Sequence, residues 1–524
     1  MGGRRGSTSG PAGTGGGSGT APVATGPLLP ARIRRLSDNE LAASIAALLP
    51  GAPALPLELA ADARQSQFTA NAAQSVDPLF ANQLQEALAF LATAAAPALV
   101  TAAGCSAGDP CAQRFIADFV GRAWRRPLGA DEQTDLLEVF HAGASGTGAS
   151  FTDGVALVVT AALQSASFLY LTELGPADSV PTDHVTLAPH EIAAALAYLV
   201  TGGPPDGLLL DAAARGDLGP DARAAQARRL FATLGAQRQI QHFVSEWLGL
   251  DRLATTTKEG AVYPDYLSYQ PLMMEETEAF LTEVIFHDQG TLARMLTADY
   301  TVAEGALARY YGLPNAPGLT GRSSFAGSSR RGLLTQGTFL AVHAHPDSSA
   351  PVKRGVAVLE RLLCLPLPKP SDLQLSVLPP KPDPTRTTRA RFEAHTHDPA
   401  CAGCHTMIDP IGDAFEGFDG MGVERTQESM QPVITSADLK AGPLVGHVDG
   451  AAALVDKLAA SPEVGACFAR NFFRFAAATS DDKLEAGYLA AVWAQLPTDR
   501  QGSVIDLFTS WAASDMFVTR AVMP

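Results

Sequence analysis

The chain carries little charge, and its basic residues are outnumbered by acidic ones. Of its 524 residues 18% are charged, with 38 Lys and Arg against 54 Asp and Glu, for a net charge of −16. Because nucleic acids are bound by clustered basic charge, this balance argues against nucleic-acid binding. The sequence also lacks an apolar run long enough to cross a bilayer, so we expect no transmembrane span.

Several signals of enzymes and of export are missing. No Walker or dinucleotide glycine motif occurs, and Ser165 lacks the flanking glycines of a nucleophile elbow. No secretory signal is visible, because Met1 is followed by a Gly/Ser/Thr tract rather than by an apolar segment. We interpret residues 1–31 as a flexible Gly/Ser-rich linker. Such a tract is typical of the spacer behind a lipid-anchored cysteine in exported lipoproteins whose leader is absent, and equally of a disordered terminus.

Cys401-Ala402-Gly403-Cys404-His405 is the most informative motif, because it matches the C-x-x-C-H attachment signature of a covalent c-type haem. Two thiols at this spacing can each add to one vinyl group of the same porphyrin, and His405 can then bind the iron as the proximal ligand. Since c-type haem is attached outside the cytoplasm, the motif predicts one haem c in an extracytoplasmic protein of the periplasm or cell surface.

Two other interpretations of this motif stay open. C-x-x-C also occurs in zinc sites, where the two cysteines would need histidine partners. The nearby histidines lack the usual spaced-pair pattern of such sites: His395, His397 and His405. A disulfide or a pair of unreactive thiols is the remaining alternative.

A haem iron takes a second axial ligand or keeps an open position. We expect the distal ligand, where there is one, to be Met421 or His395. Other candidates lie nearby in sequence: Met407, Met430, His397 and His447. A methionine would raise the reduction potential and suit electron transfer, whereas an open face would suit peroxide chemistry.

A set of polar residues follows the motif. Arg425 is a candidate partner for the haem propionates. Asp409, Glu416 and Asp419 can either orient the proximal histidine or form turns and helix caps. We favour the turn-forming role for these acids, because Asp409-Pro410 and Asp419-Gly420 are turn dipeptides.

The four cysteines outside the motif are expected to form two disulfides. Cys105 and Cys111 bracket a turn-rich loop of suitable length for a local bridge. Cys364 would then pair with Cys467 around the haem segment. Four buried free thiols are the alternative.

Alanine and leucine dominate, and apolar residues recur at three- and four-residue spacing. We therefore expect a mainly α fold, with a multi-helical body, a small c-type-cytochrome-like segment and a C-terminal helical block. Ser37-Asp38-Asn39-Glu40 is a capping box that predicts a helix from there to Leu49. The proline-rich stretch 366–384 predicts an extended linker between the body and the haem segment.

These patterns suggest seven divisions of the chain. They are the linker at 1–31, an N-terminal helical domain at 32–100, a helical domain with an Arg-Arg-Pro-Leu motif at 101–145, a central helical domain at 151–312, a helical domain ending in the proline-rich linker at 313–384, the haem segment at 385–445 and a C-terminal helical domain at 446–524.

Several strings resemble those of one family. The most specific, apart from the haem motif, is Phe119–Leu128, and further strings are Arg331–Gln336, Pro351–Gly355, Asp409–Gly412 and Glu416–Asp419. With these strings the chain resembles the large exported bacterial proteins that carry domain of unknown function 1592, with companion domains 1587, 1595, 1588 and 1585. The resemblance implies export, often as a lipoprotein, and an activity that is largely unassigned; the C-x-x-C-H motif of such proteins is usually interpreted as a haem site.

The expected function is that of an exported single-haem c-type cytochrome-like protein that transfers electrons to or from a partner protein. One haem motif without a second cofactor motif favours single-electron transfer. A haem-dependent oxidoreductase of the peroxidase or oxygenase kind is the first alternative. A surface protein that binds a partner without enzymatic activity is the second.

Overall fold

The computed structural model describes residues 28–53, 59–176, 183–313, 321–368, 370–373, 380–381, 383–393, 399–497 and 500–522. Within these residues the protein is mainly helical, as the spacing of apolar residues predicts. The predicted capping box is present. Ser37 accepts a hydrogen bond from the backbone amide of Glu40, and the Glu40 carboxylate accepts one from the amide of Ser37.

The N-terminal helices enclose a core of their own. They are Asp38–Leu48 (α1), Pro78–Ala103 (α2), Asp109–Ala123 (α3), Ala130–Ala144 (α4), Phe151–Gln164 (α5) and Ala166–Leu169 (α6). Helices α2 and α4 both pack against α5. The core between them is apolar and fully buried, with Leu88, Phe119 and Val158 among its members. Tyr198 of the next helix closes this core.

Helix α2 is the one helix among the described residues that is long and apolar enough to cross a bilayer, judged by length and composition alone. One face of α2, including Leu84, Leu88 and Leu91, is buried in the N-terminal core. Pro97 interrupts its hydrogen-bonding pattern, and most of its polar residues are exposed. These features are those of a core helix that packs on one side.

A larger core unites the middle and the end of the chain. The middle helices are Pro189–Thr201 (α7), Gly207–Ala214 (α8), Pro220–Leu230 (α9), Leu234–Leu248 (α10), Tyr266–Thr282 (α11), Leu292–Thr297 (α12), Gly305–Tyr310 (α13), Gly337–Val342 (α14), Pro351–Ala357 (α15) and Thr388–Phe392 (α16). The later helices are Pro399–Asp413 (α17), Gly450–Ala459 (α18), Pro462–Ala476 (α19), Asp482–Ala491 (α20), Val504–Ala513 (α21) and Asp515–Val518 (α22). Phe243, Phe468, Phe472 and Phe508 form an aromatic centre between α10, α19 and α21.

Short irregular helices extend or join these elements. Helices α11 and α15 each continue into a π-helical turn, at Glu283–His287 and Val358–Leu362. Turns of 3-10 helix lie at Leu250–Thr255, Leu333–Thr335, Pro370–Leu373 and Trp493–Gln495. The turn at Pro370–Leu373 corrects the expectation that the proline-rich stretch is extended throughout. Proline is compatible with the first position of a helical turn, because its missing amide would be unpaired there.

The strands are short and mostly paired locally. They are Leu29–Pro30 (β1), Arg32–Arg35 (β2), Tyr170–Glu173 (β3), His184–Thr186 (β4), Tyr300–Thr301 (β5), Ser323–Ser324 (β6), Gln427–Glu428 (β7), Gln431–Pro432 (β8), Ser436–Ala441 (β9), Leu444–Asp449 (β10) and Thr519–Ala521 (β11). The antiparallel pairs are β2 with β3, β5 with β6, β7 with β8 and β9 with β10.

The first and the last of the described strands meet in one small sheet. Strand β11 pairs in parallel with β1 and antiparallel with β4. Beside this sheet the Glu173 carboxylate accepts hydrogen bonds from Arg32 at 2.8 Å and from Arg520 at 2.9 Å. Burial opposes ionisation of this group, but the two guanidinium groups outweigh it and hold the pKa of Glu173 well below its usual range. The ion triad therefore fastens the first strands to the last.

Both predicted disulfides are present. Cys105 is bonded to Cys111, with their Cα atoms 6.0 Å apart. Cys364 is bonded to Cys467, with their Cα atoms 5.5 Å apart. The second bridge joins Cys364, two residues after the α15 π-turn, to α19 and so closes a covalent loop that contains α17.

A buried polar network connects α11 to the Arg331–Gln336 string. Gln336 donates a hydrogen bond to the Thr301 hydroxyl at 3.0 Å, and Thr301 donates one to Glu276 at 2.7 Å. Tyr311 donates a second hydrogen bond to Glu276, which is fully buried. Burial raises the pKa of Glu276 to about 7, although these hydrogen bonds act in the opposite direction. The core therefore holds a carboxyl group that ionises near neutral pH.

The two disulfides are expected to differ in their contribution to stability. In the chain-entropy relation a loop of about 100 residues gives about 4.7 kcal/mol, and the same relation gives about 2 kcal/mol for a loop of about six residues. The Cys364→Ala/Cys467→Ala double variant should therefore lose more free energy of unfolding than Cys105→Ala/Cys111→Ala. Guanidinium denaturation under oxidising conditions measures both values. Equal losses would show that loop length does not determine how much each disulfide contributes to the free energy of unfolding.

Glu276 should make the protein less stable as pH rises through the weakly acidic range. The unfolded side chain titrates near 4.5, whereas the folded one keeps its proton to about 7. Between these values the folded state binds more protons, so the free energy of unfolding falls by up to about 3 kcal/mol and stays lower above them. Glu276→Gln should remove this component in denaturation curves measured across that range. Exposed Glu138→Gln is the control, and the idea fails if both variants give the wild-type pH dependence.

Candidate functional site

The C-x-x-C-H motif lies in the first half of α17. Cys401 and Cys404 sit one turn apart on this helix, both are partly exposed, and neither is in a disulfide. Among the described residues no group of three or more His, Cys, Asp or Glu side chains is arranged to hold a metal ion. His395 and His397, the proposed further zinc ligands, lie outside those residues. The two thiols are therefore reachable from solvent and unpaired with each other.

Helix α17 is seated on α15 by two close glycine contacts. A Cβ atom on Gly355 would lie 2.3 Å from the carbonyl oxygen of Ile408, and one on Gly412 would lie 1.9 Å from that of Pro351. Any larger side chain at either glycine would force the helices apart. Ile408 and Ile411 are buried in the large core, so one face of α17 is fixed against the body.

The proximal-ligand candidate His405 is held by an acid one turn further along the helix. Its Nδ1 lies 2.8 Å from an Oδ1 of Asp409, and both side chains are largely buried. This spacing of four residues places the two groups on the same helical face. With Nδ1 engaged by the carboxylate, Nε2 is the ring nitrogen that is suited to bind a metal.

The chain after α17 is held by the guanidinium of Arg354, a fully buried residue of α15. It donates hydrogen bonds to four backbone carbonyls: Leu340 at 3.3 Å, Phe415 at 3.0 Å, Phe418 at 3.0 Å and Asp419 at 2.6 Å. The Glu416 carboxylate lies 3.7 Å away and neutralises part of its charge. Burial lowers the pKa of Arg354 to about 10, so the group is still charged at neutral pH.

Arg425 is bonded to protein groups on several sides. It donates to Ser349 and to the Glu416 carboxylate, each at 2.9 Å, and its other terminal nitrogen lies 3.1 Å from Glu428. These bonds tie the segment after the motif together. A role toward haem propionates stays a prediction.

Of the two favoured distal candidates, the structure describes only Met421, which packs in a cluster that contains no residue of the motif. Met421 is buried in a third hydrophobic cluster with Leu253 and several tyrosines, and its sulfur lies 3.4 Å from the hydroxyl of Tyr310. Cys404 and Met407 pack instead against the large core. His395 lies outside the described residues. The identity of the distal ligand therefore stays a prediction.

A cavity of about 450 Å³ lies beside α17, between α16 and the β7–β8 hairpin. Its charged lining is mostly acidic: Arg389, Glu393, Asp409, Asp413, Glu416 and Glu428. Burial raises the pKa of Asp413 to about 7, although Arg389 at 3.2 Å opposes the shift. The cavity therefore favours a neutral or cationic guest over an anionic one.

Three family models match this chain. A model described as PSD4, protein of unknown function (DUF1592), matches residues 187–313. PSCyt3, protein of unknown function (DUF1588), matches residues 330–428, and PSD5, protein of unknown function (DUF1595), matches residues 111–173. The chain therefore carries these three domains, as the resemblance predicts. No curated protein and no solved structure matched it. The expected companions 1587 and 1585 stay predictions.

The three acids after the motif have different roles in the structure. Asp409 lies inside α17 rather than in a turn, so the turn-forming role expected for it is wrong. Glu416 forms buried ion pairs. Asp419 does form a turn, because its carboxylate accepts from the backbone amides of Met421 and Val423. The His-x-x-x-Asp spacing on a helix was the signal that could have identified the role of Asp409.

Arg354→Met should strongly destabilise the protein, since four backbone carbonyls lose their hydrogen-bond donor and Glu416 loses one of its two cationic partners. The expected loss is about 3–5 kcal/mol, the usual cost of breaking a buried ion pair. Arg354→Lys keeps the charge but loses the planar fork, so an intermediate loss is expected. The neighbouring exposed Lys353→Met is the control and should cost less than about 1 kcal/mol. Denaturation midpoints measure these losses of stability. Similar losses in Arg354→Met and Lys353→Met would contradict the role given to Arg354.

Proposed function

We propose that the protein is an exported single-haem c-type cytochrome-like redox protein that exchanges electrons with a partner protein. One observation carries the proposal. Four of the six cysteines are paired in disulfides, and the two that stay free are those of the C-x-x-C-H motif. Covalent attachment of a porphyrin through both of its vinyl groups requires two such thiols, unpaired and reachable.

The residues of the site fit a covalently bound haem. Cys401 and Cys404 would attach the porphyrin, and His405 would bind the iron through Nε2. When bound, the haem would supply one-electron redox chemistry. The chain itself contributes a motif helix that is fixed on one side by α15. Because both cysteines are partly exposed, an attached group would stay near the surface, where a partner can approach.

Export is supported by the two disulfides, which are compatible with an oxidising compartment outside the cytoplasm. Location in the periplasm or at the cell surface is therefore part of the proposal. A lipid anchor in the precursor is a further element of it, and rests on the composition of residues 1–31 alone.

A haem-dependent oxidoreductase is the second candidate. The bond between His405 and Asp409 favours it, since a carboxylate partner makes the proximal imidazole a stronger donor. The two functions differ in the iron coordination that they require. An electron carrier suits six-coordinate iron, and an oxidoreductase needs an open position.

The proposal predicts a covalent haem that depends on the motif. The chain should be expressed behind a secretion leader together with the haem-attachment machinery, and its reduced-minus-oxidised spectrum recorded with a pyridine haemochrome assay. A sharp c-type α-band is expected, and Cys404→Ala should lose it or alter it to that of a single thioether. Cys105→Ala/Cys111→Ala, which changes two cysteines elsewhere, should retain the wild-type band.

Absence of haem from the wild-type protein under these conditions would refute the proposal. A partner-binding protein with a free dithiol would then be the best description. If haem is present, the spin state of the oxidised protein separates the electron carrier from the oxidoreductase, because an open iron position gives a high-spin spectrum.

A further inference from the structure

The Asp409 carboxylate has no evident role in stabilising the fold. It lies in the interior of α17, and its side chain is only 11% exposed. Among the described residues its carboxylate takes part in one hydrogen bond, the one from His405 Nδ1. A buried carboxylate is costly unless it is paired and hydrogen-bonded, and aspartate is a poor residue for a helix interior. An apolar residue here would serve the packing of α17 better.

The neighbouring acids differ from Asp409 in their partners. Asp413, one turn further along α17, faces Arg389 at 3.2 Å. Glu416 is paired with Arg425 at 2.9 Å. In the part of the chain that the structure describes, no arginine or lysine lies within ion-pair distance of Asp409. Its charge is therefore directed at the imidazole of His405.

The bond has two consequences for the histidine. A carboxylate at Nδ1 requires a proton on that nitrogen, which fixes the tautomer and leaves the lone pair on Nε2. It also prevents rotation of the ring, since the acceptor lies on the same helix. A hydrogen bond to an anion increases the electron density of the ring, and so makes Nε2 a stronger donor to a metal.

We infer that Asp409 is a positioning residue that presents His405 Nε2 to the haem iron and stabilises the oxidised iron over the reduced iron. The effect on the iron rests on the proposed function, whereas the positioning of His405 does not. Ferric iron carries one more positive charge than ferrous iron, so a more electron-rich ligand favours it. The reduction potential is then lower than it would be with a neutral partner at Nδ1, such as a backbone carbonyl or water.

The first test needs no haem. Nitrogen NMR of the haem-free full chain, labelled at histidine, reports which ring nitrogen of His405 carries the proton. The wild type should show the proton on Nδ1, whereas Asp409→Ala should show a mixture of tautomers. Asp409→Glu should restore part of the preference. A mixture in the wild-type protein would overturn the positioning role, whatever the fate of the haem proposal.

The second test is a redox titration of the haem-loaded protein. Asp409→Asn keeps the size of the side chain and removes its charge, and should raise the potential. A tenfold loss of preference for ferric iron corresponds to a rise of about 59 mV for one electron. Asp413→Asn is the matched control when the titration is run above about pH 8, where the Asp413 carboxyl is mostly ionised. It then removes a charge from the same helical face without touching His405. Its effect should be clearly smaller.

The outcomes separate the two proposals. A wild-type protein without an α-band refutes the haem function, and the NMR result still decides the positioning role. Equal potentials in Asp409→Asn and Asp413→Asn would show that only the total charge matters, which would overturn the inference. A larger rise in Asp409→Asn, together with an unchanged unfolding midpoint, supports it.

Discussion

One buried guanidinium, that of Arg354, holds the segment behind the motif helix against the body of the protein. Its planar fork reaches four carbonyls that belong to α14 and to the turn after α17. A buried charge of this kind is tolerated because nearly every donor has an acceptor and because Glu416 supplies a counter-charge. The position of α17, and with it the direction in which the motif points, depends on this set of bonds.

The glycine contacts and Arg354 together fix the position of α17. Gly355 and Gly412 let α15 and α17 approach to backbone contact, which leaves no freedom to slide. Arg354 then fixes the chain that leaves α17. One face of the helix is thereby rigid and buried, while the face with the cysteines stays open. Such an arrangement suits a site that must hold a large group firmly and still leave one edge near solvent.

Local patterns in the sequence were sufficient for the helical class, the cap at Ser37 and the two disulfides. The hairpin of β9 and β10 was missed, although Ala437, Leu439 and Ala441 alternate with exposed residues as a half-buried strand does. The role of Arg354 could not be predicted, because its partners are backbone carbonyls, which every residue has. Predicting the contact between His405 and Asp409 requires knowing that α17 continues past the motif. The sequence argues against this, because Pro410 indicates a helix end.

The Cys364–Cys467 bridge has a mechanical consequence. A pulling force applied between the two ends of the chain passes through the covalent bridge, and the loop between these cysteines bears none of it until a bond breaks. The loop contains α17, its motif and the segment that Arg354 holds. A single proteolytic cut inside the loop would likewise leave both fragments joined. In an environment with shear and proteases, the part of the chain that carries the proposed cofactor is therefore protected from being pulled out or lost.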